Sequence, residues 1–575
     1  MTDTPPPLIA DRPRSRFTDL DPDKLRGGYY TSSDLADWIA SWAVRSPDDR
    51  VLEPSCGDGN FLVASARRLL SLGVSPQSVD KQLVGVEIVE GEALSARGRL
   101  AEILGTDESN AVDNDDFFNW WSQPDRGSFD AVVGNPPFIR YQTFPEPHRS
   151  RAMEIMQQLG LKPNKLTNIW VPFVAAAVSA LSDGGRMALV LPAELLQVTY
   201  AAQLRRFLVD RFDEIHIVAC NELFFERAEQ EVVVLLAEGA REPDGVTESK
   251  VSVSQVTSRA ALVATKAERL IADTEPKTVE HDGEKWLKYF LSQREIDLLR
   301  DLRRGTATAL STFATVDVGV VTGKNEFFVV DAAQIKAFGL RDYVLPLAAR
   351  AAHLPGALFT TEQWEALAAS DRVFLLQLGK RARAELPAAV RRYVESGEAQ
   401  AFHRGYKCSI REPWYDVPSV WTPDAFMFRQ IHDFPRIVLN RARATCTDTI
   451  HRFEAQEGHT AEQIASVCFT SLTAASAEIE GRSYGGGVLE LEPTEAERLL
   501  VPSRLVAGLP VEELDSMIRA GKLRQAIHAN DDLVLRQGLG LTTGDIAVLR
   551  SAWDTMRERR HGRKRLRRVA GAGSA

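Results

Sequence analysis

Over the first 240 residues, short apolar runs alternate with amphipathic stretches. VLEP (51–54) precedes the helix-like FLVASARRLL, LVGVEIV (83–89) follows, and FDAVVGNPPF (129–138) carries the next run. NIWVPFVAAAVSAL then leads into GGRMALVLPAELL, AAQLRRFLVDRF leads into IHIVAC, and EVVVLLAEG closes the series. Apolar runs separated by helical periodicity predict βαβ units and a mostly parallel sheet with helices on both faces, an α/β domain over 27–245. Such sheets bind ligands beyond the carboxyl ends of their strands, where the strand order reverses.

The pattern then changes. Residues 246–285 are polar throughout and are expected to form a connecting segment. From 286 to 510, β-rich stretches with many aromatics and scattered basic residues predict an α+β domain. Examples are VDVGVVTGKNEFFVV (316–330), YKCSIREPWYDV (406–417) and FPRIVLNRARAT (434–445). Residues 511–575 are helical in pattern and end in Arg557–Arg568 (RERRHGRKRLRR), with nine basic residues counting His561 and one acid. That run is either a solvated basic tail or a non-specific contact with phosphates.

Length supports this division, because 575 residues exceed what one hydrophobic core usually serves. No run approaches the roughly 18 apolar residues of a membrane span. The N-terminal stretch is polar and Pro-rich, without the apolar core of a signal peptide. Residues 1–26 are therefore expected to be a disordered leader of a cytoplasmic protein. The five cysteines, Cys56, Cys220, Cys408, Cys446 and Cys468, are odd in number and form no C-x-x-C pair. Neither a zinc knuckle nor a disulfide framework follows, and no metal site is expected. A net charge of −10 argues against a uniformly basic surface, though nucleic-acid binding depends on the local field.

The first chemical signal is VLEPSCGDGNFLVAS (51–65). A strand ends at Glu53 and Pro54, Gly57 and Gly59 shape a turn, and a helix starts near Asn60. Glycines let the chain turn sharply and let a ligand approach the main chain. Glu53 can attract a cation. Leu62 stands where the third glycine of G-x-G-x-x-G belongs, so this is not a dinucleotide loop. Glu87, near the end of the next strand, can accept hydrogen bonds from ribose hydroxyls. VDNDDFFNWW offers Asp113, Asp115 and Asp116, one of which either accepts from an adenine amino group or caps a helix; Phe117 can pack on the ring. Upstream, GGYYTSSDLADWIASWAV (27–44) supplies the Gly27–Gly28 loop, Tyr30 to cover a flat ligand, and Thr31 or Ser33 as a helix cap.

The sharpest motif is Asn135-Pro136-Pro137-Phe138. An exocyclic base amine is a poor nucleophile because its lone pair is delocalised into the ring. Two acceptors, the Asn135 side-chain oxygen and the Pro136 carbonyl, would hold both amino protons and help the nitrogen become tetrahedral. Consecutive prolines fix the turn and remove competing N–H donors. Phe138 would stack on the base, and Phe224 or Phe225 would cover its other face. Catalysis is then mostly positioning.

Taken in order, GGYYT, LEPSCGDGNF, GVEIV, DDFF, GNPPF, TNIWVPF and GGRMALVLPAELL resemble the gamma-class, Taq-like N6-adenine DNA methyltransferases. In that class the cofactor motifs precede Asn-Pro-Pro-aromatic and a target-recognition domain follows. The resemblance spans about residues 27–240. It implies a Rossmann-like class I methyltransferase domain, S-adenosyl-L-methionine as cofactor, and an adenine flipped out of double-stranded DNA as substrate. Glu53, Gly57 and Gly59 would lie on the methionine side, Glu87 on the ribose, and Asp116 with Phe117 on the cofactor adenine. Tyr30, Thr31, Pro54, Cys56, Ile88 and Asn135 complete the implied cofactor set. Asn135, Pro136 and Phe138 would hold the target base, with Phe224 matching the second stacking aromatic better than Phe225. Phe138 replaces the tyrosine of many relatives, which keeps stacking and loses a hydroxyl.

The C-terminal half resembles the recognition domains more loosely. Lys324, Asn325, Arg411, Trp414, Tyr415, Asn440, Arg441, Arg482 and Tyr484 are its DNA-facing candidates. GVVTGKN is one residue short of a phosphate loop and has Asn where Ser or Thr belongs, which excludes an ATPase. The alternatives are methylation of RNA or of a protein glutamine amide, and a non-catalytic specificity subunit. The large second domain favours DNA over the former, and the intact motifs argue against the latter. A cytosine-N4 enzyme typically has Ser or Asp at position 135. The 26 leading residues are too few for a fused nuclease, so any restriction endonuclease or defence-system subunit is expected as a separate partner.

Overall fold

A computed structural model describes residues 31–124, 126–164, 167–220, 231–243, 249–280, 284–484 and 487–572, with Tyr484 and 563–572 by backbone alone. The chain divides into two compact units between Tyr289 and Phe290. The expected leader, together with Gly27, Gly28, Tyr30, Phe224 and Phe225, lies outside the described residues.

The first unit is built on a nine-stranded sheet. Its strands are Val51–Glu53 (β1), Leu83–Val86 (β2), Val112–Asp113 (β3), Phe129–Gly134 (β4), Leu181–Pro192 (β5), Phe212–Cys220 (β6), Val232–Ala240 (β7), Lys250–Val256 (β8) and Lys277–Thr278 (β9). The order is β3-β2-β1-β4-β5-β7-β6-β8-β9. β1 pairs parallel with β2 and β4, and β7 runs antiparallel between β5 and β6. The helices that matter for the site are Ser33–Ala43 (α1), Asn60–Ser71 (α2), Glu90–Leu104 (α3), Phe117–Trp121 (α4), His148–Gln158 (α5) and Trp170–Val178 (α6). Both faces of the central strands are covered, which is why their apolar residues run consecutively instead of alternating. α1, α2 and α3 send Leu35, Ile39, Trp42, Leu62, Leu69 and Leu100 into one cluster with Val51 and Val133. Each such side chain stabilises the fold by about 1.5–3 kcal/mol. α6 is apolar all round and buried along its whole length.

β1, β2 and β3 build outward toward one edge, and β4 returns to the other side of β1. The carboxyl ends of β1 and β4 therefore flank the crevice where such sheets bind ligands.

Within the stretch 246–285, expected as a connecting segment, residues 250–256 and 277–278 are strands of the sheet. They supply β8, paired parallel to β6 from Glu214↔Lys250 to Cys220↔Val256, and β9 beside it. Polarity conceals the strand, because its buried serines face a buried histidine. His216 Nδ1 lies 2.5 Å from Ser252 Oγ and Nε2 lies 2.7 Å from Ser254 Oγ. Burial lowers the His216 pKa to about 4, so the ring is neutral and both serines are satisfied without charge.

The second unit is mixed α and β. A five-stranded sheet runs through Ala314–Val318, Ile450–Ala455, Ala425–Phe428, Ile437–Asn440 and Leu358–Phe359. Two of the stretches expected as β-rich are mostly not strand. Residues 316–330 leave the sheet after Val318 and include the helical turn Asn325–Phe328; residues 406–417 open with the helical turn Tyr406–Ser409. The C-terminal region is helical, as its pattern predicts, but belongs to this unit. In the helix Thr543–Ala572, Arg560 is 2% exposed and pairs with buried Glu478 at 2.6 Å. Arg557 pairs with Asp433, and Arg559 lies over the Phe290 ring. The first basic residues of the run thus hold the helix in place and do not form a free tail. No helix among the described residues is long and apolar enough to cross a membrane.

Candidate active site

The turn from β1 into α2 is a backbone cradle. Gly59 adopts φ +86°, and a Cβ there would lie 2.9 Å from Ala96 Cβ of α3, so only glycine fits. Glu53 is buried, and its Oε2 accepts the Leu62 N–H in the first turn of α2 at 3.0 Å. Glu87, past the end of β2, accepts from Gly57 N (2.9 Å) and Val89 N (2.8 Å). Arg99 fixes the loop from outside through Asp58 Oδ2 (2.6 Å) and Asn60 Oδ1 (2.7 Å). Burial raises the carboxyl pKa of Glu53, with Asp58 and Glu87 adding to it, and burial likewise raises Glu87. Two carboxyls that resist ionisation in a dry site favour a cationic partner. Burial also pushes the Cys56 thiol up, which makes it a packing residue of the wall and not a nucleophile.

Of the three aspartates, Asp115 and Asp116 border the site, and Asp116 caps α4, accepting from Phe118 N at 3.3 Å. Its other oxygen meets His148 Nδ1 of α5 at 2.9 Å. Asp115 also accepts from Asn119, and Asp113, away from the cavity, accepts from Trp120 Nε1 (2.8 Å). Phe117 stacks on Phe173 of α6, with centroids 5.2 Å apart and planes 17° apart. Thr31 does not cap α1, whose N-cap is Ser32, and Ser33 is already helical. Thr31 ties the two halves of the site together: its carbonyl accepts from Asn60 Nδ2 (3.0 Å), and its Oγ1 accepts from Asn135 Nδ2 (3.4 Å).

One cavity of about 330 Å³ joins these parts. Glu53, Pro54, Cys56 and Gly57 line it at one end, and Glu87, Ile88, Asp116 and Phe117 line its wall. Asn135 and Pro137 of the rigid turn also border it. Ile88 is 51% exposed, an apolar side chain left open to a cavity. Pro136 is buried and borders a smaller void behind the turn, while half-buried Phe138 packs against the sheet core. The cavity also includes Phe144, His148 and Phe173, which sequence reasoning did not single out. TNIWVPF marked the segment of Phe173, but nothing in the sequence pointed to His148. No cluster of possible metal ligands occurs among the described residues.

Residues 17–286 match the N-6 DNA Methylase family, and residues 283–535 match the C-terminal domain of the Type II methyltransferase M.Eco57I. The first part of the chain is therefore similar to the N-6 DNA methylases, and the second to a Type II methyltransferase C-terminal domain. The chain is 23% identical over 505 residues to the Type II methyltransferase M.AccI of Acinetobacter calcoaceticus, covering 85% of this chain and 87% of that one. It is 26% identical over 437 residues to the Type II methyltransferase M.PaeR7I of Pseudomonas aeruginosa, covering 70% and 72%. Among solved structures, the Type IIL restriction-modification enzyme MmeI in complex with DNA aligns with a TM-score of 0.53 at 12% identity, over 92% of this chain and 75% of that one. The shared feature there is the fold.

In the second unit, several residues expected to face DNA are used internally. Tyr415 is 3% exposed and donates its hydroxyl to the Arg381 carbonyl (2.8 Å). Asn440 closes a turn, bonding Pro423 O, Ala444 O and Ala444 N. Trp414 packs on Phe327 at 4.7 Å and donates to Glu398. Arg411 donates to the Val321 and Thr322 carbonyls, and Arg482 pairs with buried Glu495. These side chains read as polar or aromatic punctuation, and tertiary packing uses them for support. Asn325 and Arg441 are exposed, although Arg441 pairs with Glu512 (2.6 Å); Lys324 is half-buried. The Tyr484 side chain lies outside the described residues.

Proposed function

We propose that this chain transfers a methyl group from S-adenosyl-L-methionine to the N6 amine of an adenine extruded from double-stranded DNA. The observation that carries the reading is the cavity lined both by the Glu53–Gly57–Glu87 cradle and by Asn135 and Pro137 of the Asn-Pro-Pro turn. The residues present suit the cofactor: two buried carboxyls, an acceptor at Asp116, and the apolar surfaces of Phe117 and Ile88. When bound, the cofactor supplies a methyl already activated on a sulfonium. Glu53 and the cradle hold the methionine end, Glu87 the ribose, and Asp116 with Phe117 the adenine. Asn135 Oδ1 and the Pro136 carbonyl accept the two amino protons of the target base, while Phe138 and Phe224 sandwich its ring. No strong base is required, because the amine acidifies as it becomes cationic and loses its proton late. A separate restriction endonuclease is the expected partner, with host-DNA protection as the biological role.

Purified protein incubated with labelled cofactor should methylate duplex DNA at adenine and leave RNA and protein controls unlabelled. Asn135→Ala should abolish transfer while binding of S-adenosylhomocysteine stays within about twofold of wild type. Unchanged turnover in that variant refutes the assignment of the turn.

A further inference from the structure

Six large hydrophobic side chains are exposed among the described residues, and three of them lie on two segments of the second unit that pack together, 321–323 and 406–411. They are Val321 (38%), Tyr406 (74%) and Ile410 (63%). Tyr406 and Ile410 are four residues apart across one helical turn and so share a face. Single exposed hydrophobics are ordinary, but an adjoining group rimmed by charge marks an interaction surface. The rim here is basic. Arg404 and Lys407 are exposed, Lys324 is half-buried, and none of the three enters an ion pair among the described residues. Lys324 and Lys407 instead lie over the Phe402 and Tyr406 rings, at 5.6 and 5.8 Å. Two exposed acids, Glu326 and Glu412, lie on the flanks.

The ridge is held rigidly. Cys408, beneath it, is fully buried. Arg411 clamps the loop to the helical turn through the Val321 (2.7 Å) and Thr322 (2.8 Å) carbonyls. Gly323 permits the close approach, since a Cβ there would lie 2.8 Å from Lys407 Cβ. An aromatic and a branched aliphatic side chain, fixed in solvent between unpaired cations, suit a polyanion with apolar faces between its charges. Duplex DNA has that chemistry.

We infer that this ridge enters a groove of the DNA, with Tyr406 and Ile410 meeting the bases and Lys324, Arg404 and Lys407 holding phosphates. The inference rests on DNA being the substrate and names the surface that engages it. The probes are a fluorescent duplex carrying a site that the wild-type chain methylates, found by sequencing DNA from a host expressing it, and a mixed-sequence duplex of equal length. Binding of the full chain is measured against salt. Lys324→Ala/Arg404→Ala/Lys407→Ala should weaken both duplexes and reduce the slope of log K against log salt by about 3. Tyr406→Ser/Ile410→Ser should weaken the site duplex about tenfold and leave the slope unchanged. Apart from half-buried Lys324, the variants change exposed side chains, and their thermal melting should match wild type. Wild-type affinity and slope in both overturn the inference. So does a change confined to sedimentation behaviour, which makes the ridge a protein contact. A wild-type chain that methylates no DNA defeats the methyltransferase reading instead, and the ridge is then judged by the triple variant on the mixed-sequence duplex.

Discussion

Glu53 has two jobs that substitution can separate. Its Oε2 caps α2 through the Leu62 N–H at 3.0 Å, and its charge faces the cradle from a buried position. Glu53→Gln keeps an oxygen acceptor and removes the charge. Glu53→Ala removes both and leaves a buried N–H unpaired, which costs about 1–3 kcal/mol beyond the lost packing. Burial holds the Glu53 carboxyl pKa well above 4.5. A folded-state pKa above the unfolded one means that stability is lost as pH rises through the window above 4.5. The Gln variant lacks that loss. At pH 7.5 it should therefore melt no lower than wild type, the Ala variant should melt lower than both, and the gain of Gln over wild type should vanish below pH 4.5. Ligand binding reads the charge. One charge-assisted interaction contributes about 1.5–3 kcal/mol, so Glu53→Gln should weaken S-adenosylmethionine by roughly 10–150-fold. 5′-Methylthioadenosine, which carries neither cation, should bind both proteins alike. In wild type, affinity for the cationic ligand should rise with pH above 4.5 while affinity for the neutral one stays flat. Calorimetric titration of both ligands checks each point. Equal binding of S-adenosylmethionine by wild type and Glu53→Gln, or an Ala variant as stable as the Gln variant, refutes the reasoning.

Two further outcomes concern the scaffold. Because His216 is neutral in the fold with a pKa of about 4, stability should fall by roughly 3 kcal/mol as pH drops from 6.5 to 4, and His216→Gln should flatten that dependence in denaturant titrations. Glu478→Ala strands the buried Arg560 guanidinium and should destabilise the second unit by about 3–5 kcal/mol, whereas Glu478→Leu/Arg560→Met should recover most of the loss in a thermal melt.

The sequence alone made the parallel sheet legible, since strands covered on both faces must be apolar at consecutive positions. It also revealed the Gly57–Gly59 cradle and the Asn135-Pro136-Pro137 turn, because each needs residue types whose backbone properties nothing else supplies. Where a side chain's surroundings decide its role, sequence was silent or misleading. Ser252 and Ser254 read as linker and became sheet core once His216 met them. Tyr415 and Asn440 read as DNA contacts and turned out to be packing and turn closure. His148 reached Asp116 only through the placement of α5, and Tyr406 and Ile410 became a ridge only because the chain around them leaves their side chains uncovered. Backbone constraint and apolar periodicity are local properties written in consecutive residues. Burial and the partner of a polar group depend on segments far apart in the chain, so only the tertiary structure decides them.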